Sequence, residues 1–352
     1  MKAALITGIR QLEIGELPEP QLTGSRDVLL RVDAVGVCGS DIHYYTQGGI
    51  GAQKVIYPET IGHECSGTVV RVGTEVTRLR VGARVAVDPL MPCGQCDQCL
   101  GGREHTCRNQ RFLGCPGQAP GALSEFLLVP ERCCYPVPDS MSMAQAAMVE
   151  PFSIGLYAAR MAGIKAGIKD GAKVAILGAG PIGLCVLLAC LAEARSAVYV
   201  TDLLDARLSM AMKLGAVWTG NPRQSDVVAG IGKAEPLGVD FAFECAGEQE
   251  TLDQAVETLK PGGTVLIVGI PETERVSFMI HDLRRKEISV LNVRRQNKCT
   301  AAAIELIASG RVNVDSLVTH RFPLRSAKTA FDLVSGYDGG VVKALVDVST
   351  RV

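Results

Sequence analysis

The sequence predicts an α/β protein of two parts: a small β-rich domain of barrel or sandwich type, and a doubly wound domain on a parallel sheet inserted into it. Three observations carry this reading. Short β-type runs separated by Gly, Pro and Asp fill the first half. Strand and helix patterns alternate after Pro138, as a parallel sheet requires. The chain of 352 residues is long enough for two cores.

In order, the first-half strands are expected at residues 28–32, 67–72, 84–87 and 124–129, with no long helical periodicity among them. Ser142 is a plausible N-cap for an Ala- and Met-rich helix over 143–162. The alternation follows: strand 173–177, helix 182–194, strand 197–201, helix 205–214, strand 239–243, helix 249–259, strand 264–268 and a last strand at 288–291. The tail holds a helix at 301–309 and short strands at 317–320 and 343–348. It is expected to share the β-rich domain.

A formal net charge of −1 with no basic block offers nothing to nucleic acid or an anionic membrane. The 13 cysteines are odd in number, and the first residues lack the apolar core and cleavage site of a signal peptide. Reduced thiols in the cytoplasm are the expectation. The uncharged run 174–192 has bilayer-spanning length but contains Gly178, Gly180, Pro181 and Gly183. It reads as a buried strand, a turn and a buried helix.

Gly178, Gly180, Pro181, Ile182 and Gly183 lie in a G-x-G-x-x-G turn between that strand and helix, and Asp202 stands 19 residues beyond Gly183 at the end of the next strand. This is a dinucleotide fingerprint: the glycines allow the turn, the approach of backbone to pyrophosphate and close helix packing, and the helix terminus receives phosphate. Asp202 can accept from both adenosine ribose hydroxyls and would repel a 2′-phosphate, which favours NAD. Arg207 tempers that preference, or packs against adenine.

Cys93, Cys96, Cys99 and Cys107 form C-x2-C-x2-C-x7-C with Gly94, Gly101 and Gly102 between them. Four thiolates close a tetrahedral shell, so the site reads as structural Zn²⁺. Elsewhere Cys38, His63 with Glu64, and Glu150 supply a thiolate, an imidazole and carboxylates, a set that leaves a zinc position open for catalysis. Spacing alone does not join residues 38, 63 and 150.

A resemblance joins them. Cys38-Gly39-Ser40-Asp41, Gly62-His63-Glu64, the four-cysteine loop, Glu150-Pro151, Gly178 to Gly183, Glu244-Cys245-Ala246-Gly247 and the run from Val318 to Leu324 stand in order along the chain. With these motifs the chain resembles a zinc-dependent medium-chain dehydrogenase of the sorbitol (polyol) branch. The resemblance implies a GroES-like catalytic domain over 1–153, completed by 293–352, around a Rossmann domain over 154–292. It implies NAD and two Zn²⁺ per chain, with Cys38, His63 and Glu64 on the catalytic zinc, and Glu150 either holding the zinc-bound water or exchanging into the first shell.

By the same resemblance zinc acts as a Lewis acid and hydride passes to nicotinamide. Ser40 accepts the hydroxyl proton and His43 relays it, with Glu150 a competing acceptor. Tyr44, Phe112 and Arg294 line the polyol pocket. The sorbitol enzymes tend to carry Arg-Tyr where this chain has Arg294-Arg295. A second guanidinium suits a carboxylate or phosphate, so sugar-acid or sugar-phosphate oxidation stands as an alternative beside L-threonine 3-dehydrogenase and 2,3-butanediol dehydrogenase. The expected assembly is a homotetramer or homodimer.

Overall fold

The computed structural model describes residues 1–164 and 170–349. Its contacts divide into two units, Met1–Glu150 with Thr300–Val352, and Pro151–Cys299.

The first unit is built around strand Asp27–Gly36, which is paired on both edges and whose apolar residues are all buried, as on a sheet covered on both faces. Antiparallel neighbours are Glu64–Val72 on one side and, on the other, Phe126–Pro130 and Lys343–Asp347. Arg84–Val87 and Cys134–Pro136 extend the sheet beyond Glu64–Val72, and Val318–Pro323 pairs in parallel with Lys343–Asp347. The register sets Gly36 opposite both Glu64 and Leu345. Three separate stretches of sequence, near residues 37, 63 and 343, thus meet at one end of the sheet. Val28, Leu30, Ile61, Tyr45 and Phe331 are among the residues of the core beneath it; burying each such large side chain contributes roughly 1.5–3 kcal/mol.

Sequence patterning did not anticipate helix Gly39–Gln47. Its Gly-Ser-Asp-Ile-His-Tyr-Tyr-Thr-Gln composition has weak helix propensity, and local and tertiary contacts make up the difference. The Asp41 carboxylate accepts the Cys38 N–H at 3.1 Å. Gly48, in the left-handed region at φ 69°, ends the helix. Tyr45 is fully buried, its hydroxyl 2.7 Å from Asp332 Oδ1 and 2.9 Å from the Arg10 carbonyl, two acceptors that share its one proton, and its ring meets Phe331 edge-on at 5.4 Å. Strands Lys2–Gly8 and Gln11–Glu16 and helix Ala327–Gly336 are further additions to the expected elements.

The second unit carries six parallel strands in the order Trp218–Gly220, Ala197–Thr201, Lys173–Leu177, Val239–Glu244, Leu259–Ile267, Ser289–Asn292. Numbered along the chain this is 3-2-1-4-5-6, the Rossmann arrangement. The order reverses between Lys173–Leu177 and Val239–Glu244, which places the ligand crevice at their carboxyl ends. Helix Pro181–Glu193 follows the first strand directly, so the apolar run 174–192 is the expected strand, turn and helix. Among the described residues no helix is long and apolar enough to cross a membrane. The expected helix over 249–259 ends at Thr258, and Leu259 already belongs to the next strand.

Candidate metal centres and dinucleotide site

The four-cysteine loop folds on two short turns of helix, Asp97–Leu100 and Glu104–Thr106, with Gly94 and Gly102 at positive φ. Its sulfurs lie 3.6 Å (Cys96 to Cys99), 3.8 Å (Cys96 to Cys107) and 4.0 Å (Cys93 to Cys99) apart. A tetrahedral zinc with Zn–S of about 2.3 Å needs sulfurs about 3.8 Å apart, whereas a disulfide needs about 2 Å. The loop's own amides favour thiolates. N–H groups of Arg108 and Cys99 bring the Cys96 thiol down to about 6, and those of Gln95 and Cys96 lower Cys93. Burial pushes Cys99 up to about 12, a cost that a cation bound by the sulfur would offset. Arg108 grips Asp97 with two N–H bonds, at 2.5 and 2.9 Å, and closes the loop.

The second cluster sits where the strands of the first unit converge. Ligand atoms of Cys38, His63 and Glu64 all lie within 4.8 Å of one another. Sulfur, imidazole nitrogen and carboxylate oxygen form a donor set suited to zinc, and three protein donors leave a fourth position. Gly62, at φ 93°, turns the chain into His63, and a side chain on Gly36 would collide with the Glu64 carboxylate. His63 Nδ1 lies 3.4 Å from Asp41 Oδ1, and Phe112 covers its ring at 5.3 Å between centroids. Burial alone would lower the His63 pKa, but the Asp41 carboxylate and Cys38 overcome it and raise the value well above the usual one.

Glu150 is outside that trio but buried beside it. Burial raises its carboxyl to about 8; His63 and Lys343 pull it down while Glu64 and Asp88 push it up. Ser40 and His43 are half-buried on helix Gly39–Gln47, with His43 Nδ1 3.4 Å from Gln47 Oε1. The Tyr44 hydroxyl lies 3.6 Å from Cys115 Sγ. Two residues at this site escaped the sequence reading. Asp41 belongs to the Cys38-Gly39-Ser40-Asp41 motif, which assigns it no role. Lys343 is 1% exposed, and its Nζ donates to Glu64 Oε1 at 2.8 Å, Glu64 Oε2 at 2.7 Å and the Val37 carbonyl at 3.0 Å. The one sequence signal for Lys343 is a lone charge in the apolar run Val-Val-Lys-Ala-Leu-Val.

In the second unit Gly178 adopts φ 104°, and a side chain on Gly183 would strike the Gly178 carbonyl. Asp202 Oδ2 accepts the Ala179 N–H at 2.7 Å and Oδ1 the Leu204 N–H at 2.8 Å. Each oxygen keeps a further lone pair for a ribose hydroxyl. Arg207 is buried with Nη1 4.0 Å from Asp202 Oδ2. A cavity of about 220 Å³ opens nearby at the strand ends, lined by Glu244, Gly247, Gly269, Asn292 and Val293 among others. Glu244 shapes it by accepting the Ala246 and Gly247 N–H groups, both at 2.7 Å. Arg294 is exposed; Arg295 is half-buried with φ 53°, an uncommon conformation for a residue other than glycine.

Residues 24–139 match the family model described as the alcohol dehydrogenase GroES-like domain, and residues 181–309 match that of zinc-binding dehydrogenases. Sorbitol dehydrogenase of Bacillus subtilis is 35% identical over 347 residues, covering 98% of this chain and 97% of the relative. L-idonate 5-dehydrogenase of Vitis vinifera is 33% identical over 353 residues, with 98% and 94% covered. A crystal structure of a zinc-binding dehydrogenase from Sinorhizobium meliloti 1021, bound to NADP, superposes with a TM-score of 0.90 at 32% identity over 99% of each chain. Matches over nearly the whole length, together with a closed four-sulfur shell, a three-donor cluster and a Rossmann crevice, make this chain a member of the zinc-dependent medium-chain dehydrogenases, in their sorbitol branch.

Proposed function

We propose that the chain oxidises a secondary alcohol of a polyol of the sorbitol, xylitol or galactitol class to the ketose with NAD, and catalyses the reverse reduction. The observation that carries this reading is the Cys38, His63 and Glu64 trio, a donor set one ligand short of a tetrahedron. Cys38, His63 and Glu64 would hold the zinc, which would supply Lewis acidity toward a substrate hydroxyl. The side chains of the first unit do the rest. Ser40 accepts the hydroxyl proton and His43 passes it to solvent. Glu150 holds water beside the trio and is the alternative acceptor. Tyr44 and Phe112 shape the pocket. Cys93, Cys96, Cys99 and Cys107 hold the structural zinc.

The second unit contributes the cofactor site through Gly178, Gly180, Pro181, Ile182 and Gly183, with Asp202 on the ribose and Arg207 beside it. Its carboxylate, held by two amides, supports NAD over NADP. The domain of 1–153 with 293–352 is the catalytic one, and 154–292 the Rossmann one. The thiolate shells need reduced cysteines, which suits the cytoplasm. Strand Ser289–Asn292 ends its sheet, and Val276, Met279 and Ile280 nearby in sequence are exposed. Such an edge supports a homodimer, or a homotetramer built from it.

The test follows reduced-cofactor absorbance with sorbitol, xylitol, galactitol, L-threonine and 2,3-butanediol, each with NAD and NADP. The expected outcome is NAD-dependent turnover of a polyol. No signal with any secondary alcohol would end the proposal. The half-buried, left-handed Arg295 favours a second reading, in which the substrate carries a carboxylate or phosphate. Polyols are then compared with their acid and phosphate counterparts in wild type and Arg295→Ala; an unchanged preference removes Arg295 from recognition.

A further inference from the structure

Lys343 is a cation at the open metal cluster, not a ligand type, and it is almost fully buried. A buried ammonium is costly unless its donors are satisfied. Here it spans both oxygens of Glu64 and the carbonyl of Val37, the residue before Cys38. One cation therefore ties together the two chain segments that present metal ligands. The adjacent backbone bond, from Val37 N–H to the Ala344 carbonyl at 3.0 Å, fixes the strand that delivers it.

Two consequences follow from charge. Without Lys343, the Cys38 thiolate, Asp41 and Glu64 would bring three negative charges to a divalent ion; with it the net charge is minus two. Moreover, Glu64 already has a partner before any metal arrives, so metal binding must share that carboxylate rather than rescue it. Deepening the reading of the Cys38, His63 and Glu64 cluster as a zinc site, we propose that Lys343 is a positioning residue that holds the Glu64 carboxylate and weakens its hold on zinc. The fourth position is thereby kept open and the ion kept electrophilic, at the expense of affinity.

Removal of a residue that merely props up a ligand loosens the metal; removal of Lys343 tightens it. In Lys343→Met the metal-free protein keeps Glu64 buried and unpaired, and zinc relieves it. The experiment uses the full chain in its zinc-loaded form and measures equilibrium competition for Zn²⁺ with a chromophoric chelator, together with melting temperatures with and without the open-site ion.

Lys343→Met is expected to bind the open-site zinc at least about tenfold more tightly, with a larger gap between metal-free and metal-loaded melting temperatures than in wild type. Lys343→Arg is expected to restore values near wild type, because a guanidinium can make the same two-oxygen contact. In a Glu64→Gln background the effect of Lys343→Met on zinc affinity should largely vanish, and this pair of variants serves if metal-free Lys343→Met does not fold. Equal or weaker zinc binding by Lys343→Met overturns the proposal, as does an undiminished effect in Glu64→Gln. A wild-type chain holding one zinc instead of two would instead overturn the open site itself, so the two failures are separable by metal content.

Discussion

His63 is fixed from two sides. Asp41 Oδ1 lies 3.4 Å from its Nδ1, the Phe112 ring packs against it at a tilt of 57°, and the other ring nitrogen is left for a metal. Asp41→Ala removes the carboxylate that orients the imidazole, and open-site zinc affinity is expected to fall about 10- to 100-fold, measured by the same chelator competition. That loss is opposite in direction to the gain expected for Lys343→Met, so the two neighbours of the ligands are distinguishable in one assay. The four-cysteine shell was legible in the sequence because all its donors come from one loop of 15 residues, Cys93 to Cys107. The open cluster was not: Cys38, His63 and Glu64 meet through the pairing of Gly36 with Glu64, a register between distant segments for which the resemblance had to stand in. Lys343 arrives from a third strand, 279 positions from Glu64, beyond the reach of any local pattern.

At the scale of elements, strands 173–177 and 197–201 and helix 205–214 appear with their expected bounds, since long apolar periods and a following Gly or Asp mark their ends. Trp218–Gly220 and Val227–Ala234 were missed; the strand is three residues long, and the helix contains Gly230 and Gly232, which weaken helical patterning. Gly183→Val tests the tight join of strand and helix, because its side chain meets the Gly178 carbonyl. NADH binding, followed by fluorescence titration, should weaken at least about tenfold, with a loss of stability of roughly 1–3 kcal/mol.

The helix Val227–Ala234 runs into Glu235, whose Oε1 accepts the Tyr199 hydroxyl at 2.6 Å while Lys173 pairs with Oε2. Burial raises the Glu235 pKa, but Lys173 and Tyr199 outweigh it and leave it below the ordinary carboxylate value. A depressed native pKa means stability that is present above the unfolded-state value, about 4.3, and is lost as pH falls through the native one. Glu235→Gln should therefore cost about 1 kcal/mol at pH 7, and the gap from wild type should close below about pH 4 in urea unfolding. A gap that persists at pH 3 would assign the loss to packing.

For the whole molecule, the α/β class and the parallel sheet follow from alternation along the chain, whereas the strand-by-strand pairing and register are set by contacts between distant segments. All the cysteine, histidine and glutamate donors lie within Met1–Glu150. Chelation of the open-site metal is accordingly expected to reduce turnover by about a hundredfold or more while far-ultraviolet circular dichroism and NAD binding stay at wild-type values. Loss of NAD binding in parallel with the metal would contradict that separation. The sheet of the first unit also has a history written into its order. Its central strand is made early, but the strand carrying Lys343 is synthesised only after the whole of Pro151–Cys299 has emerged. The inserted unit can fold on the ribosome while the metal cluster waits. Until then Glu64 lacks its lysine, and a zinc ion captured by the nascent chain would meet a stickier site than the finished enzyme presents.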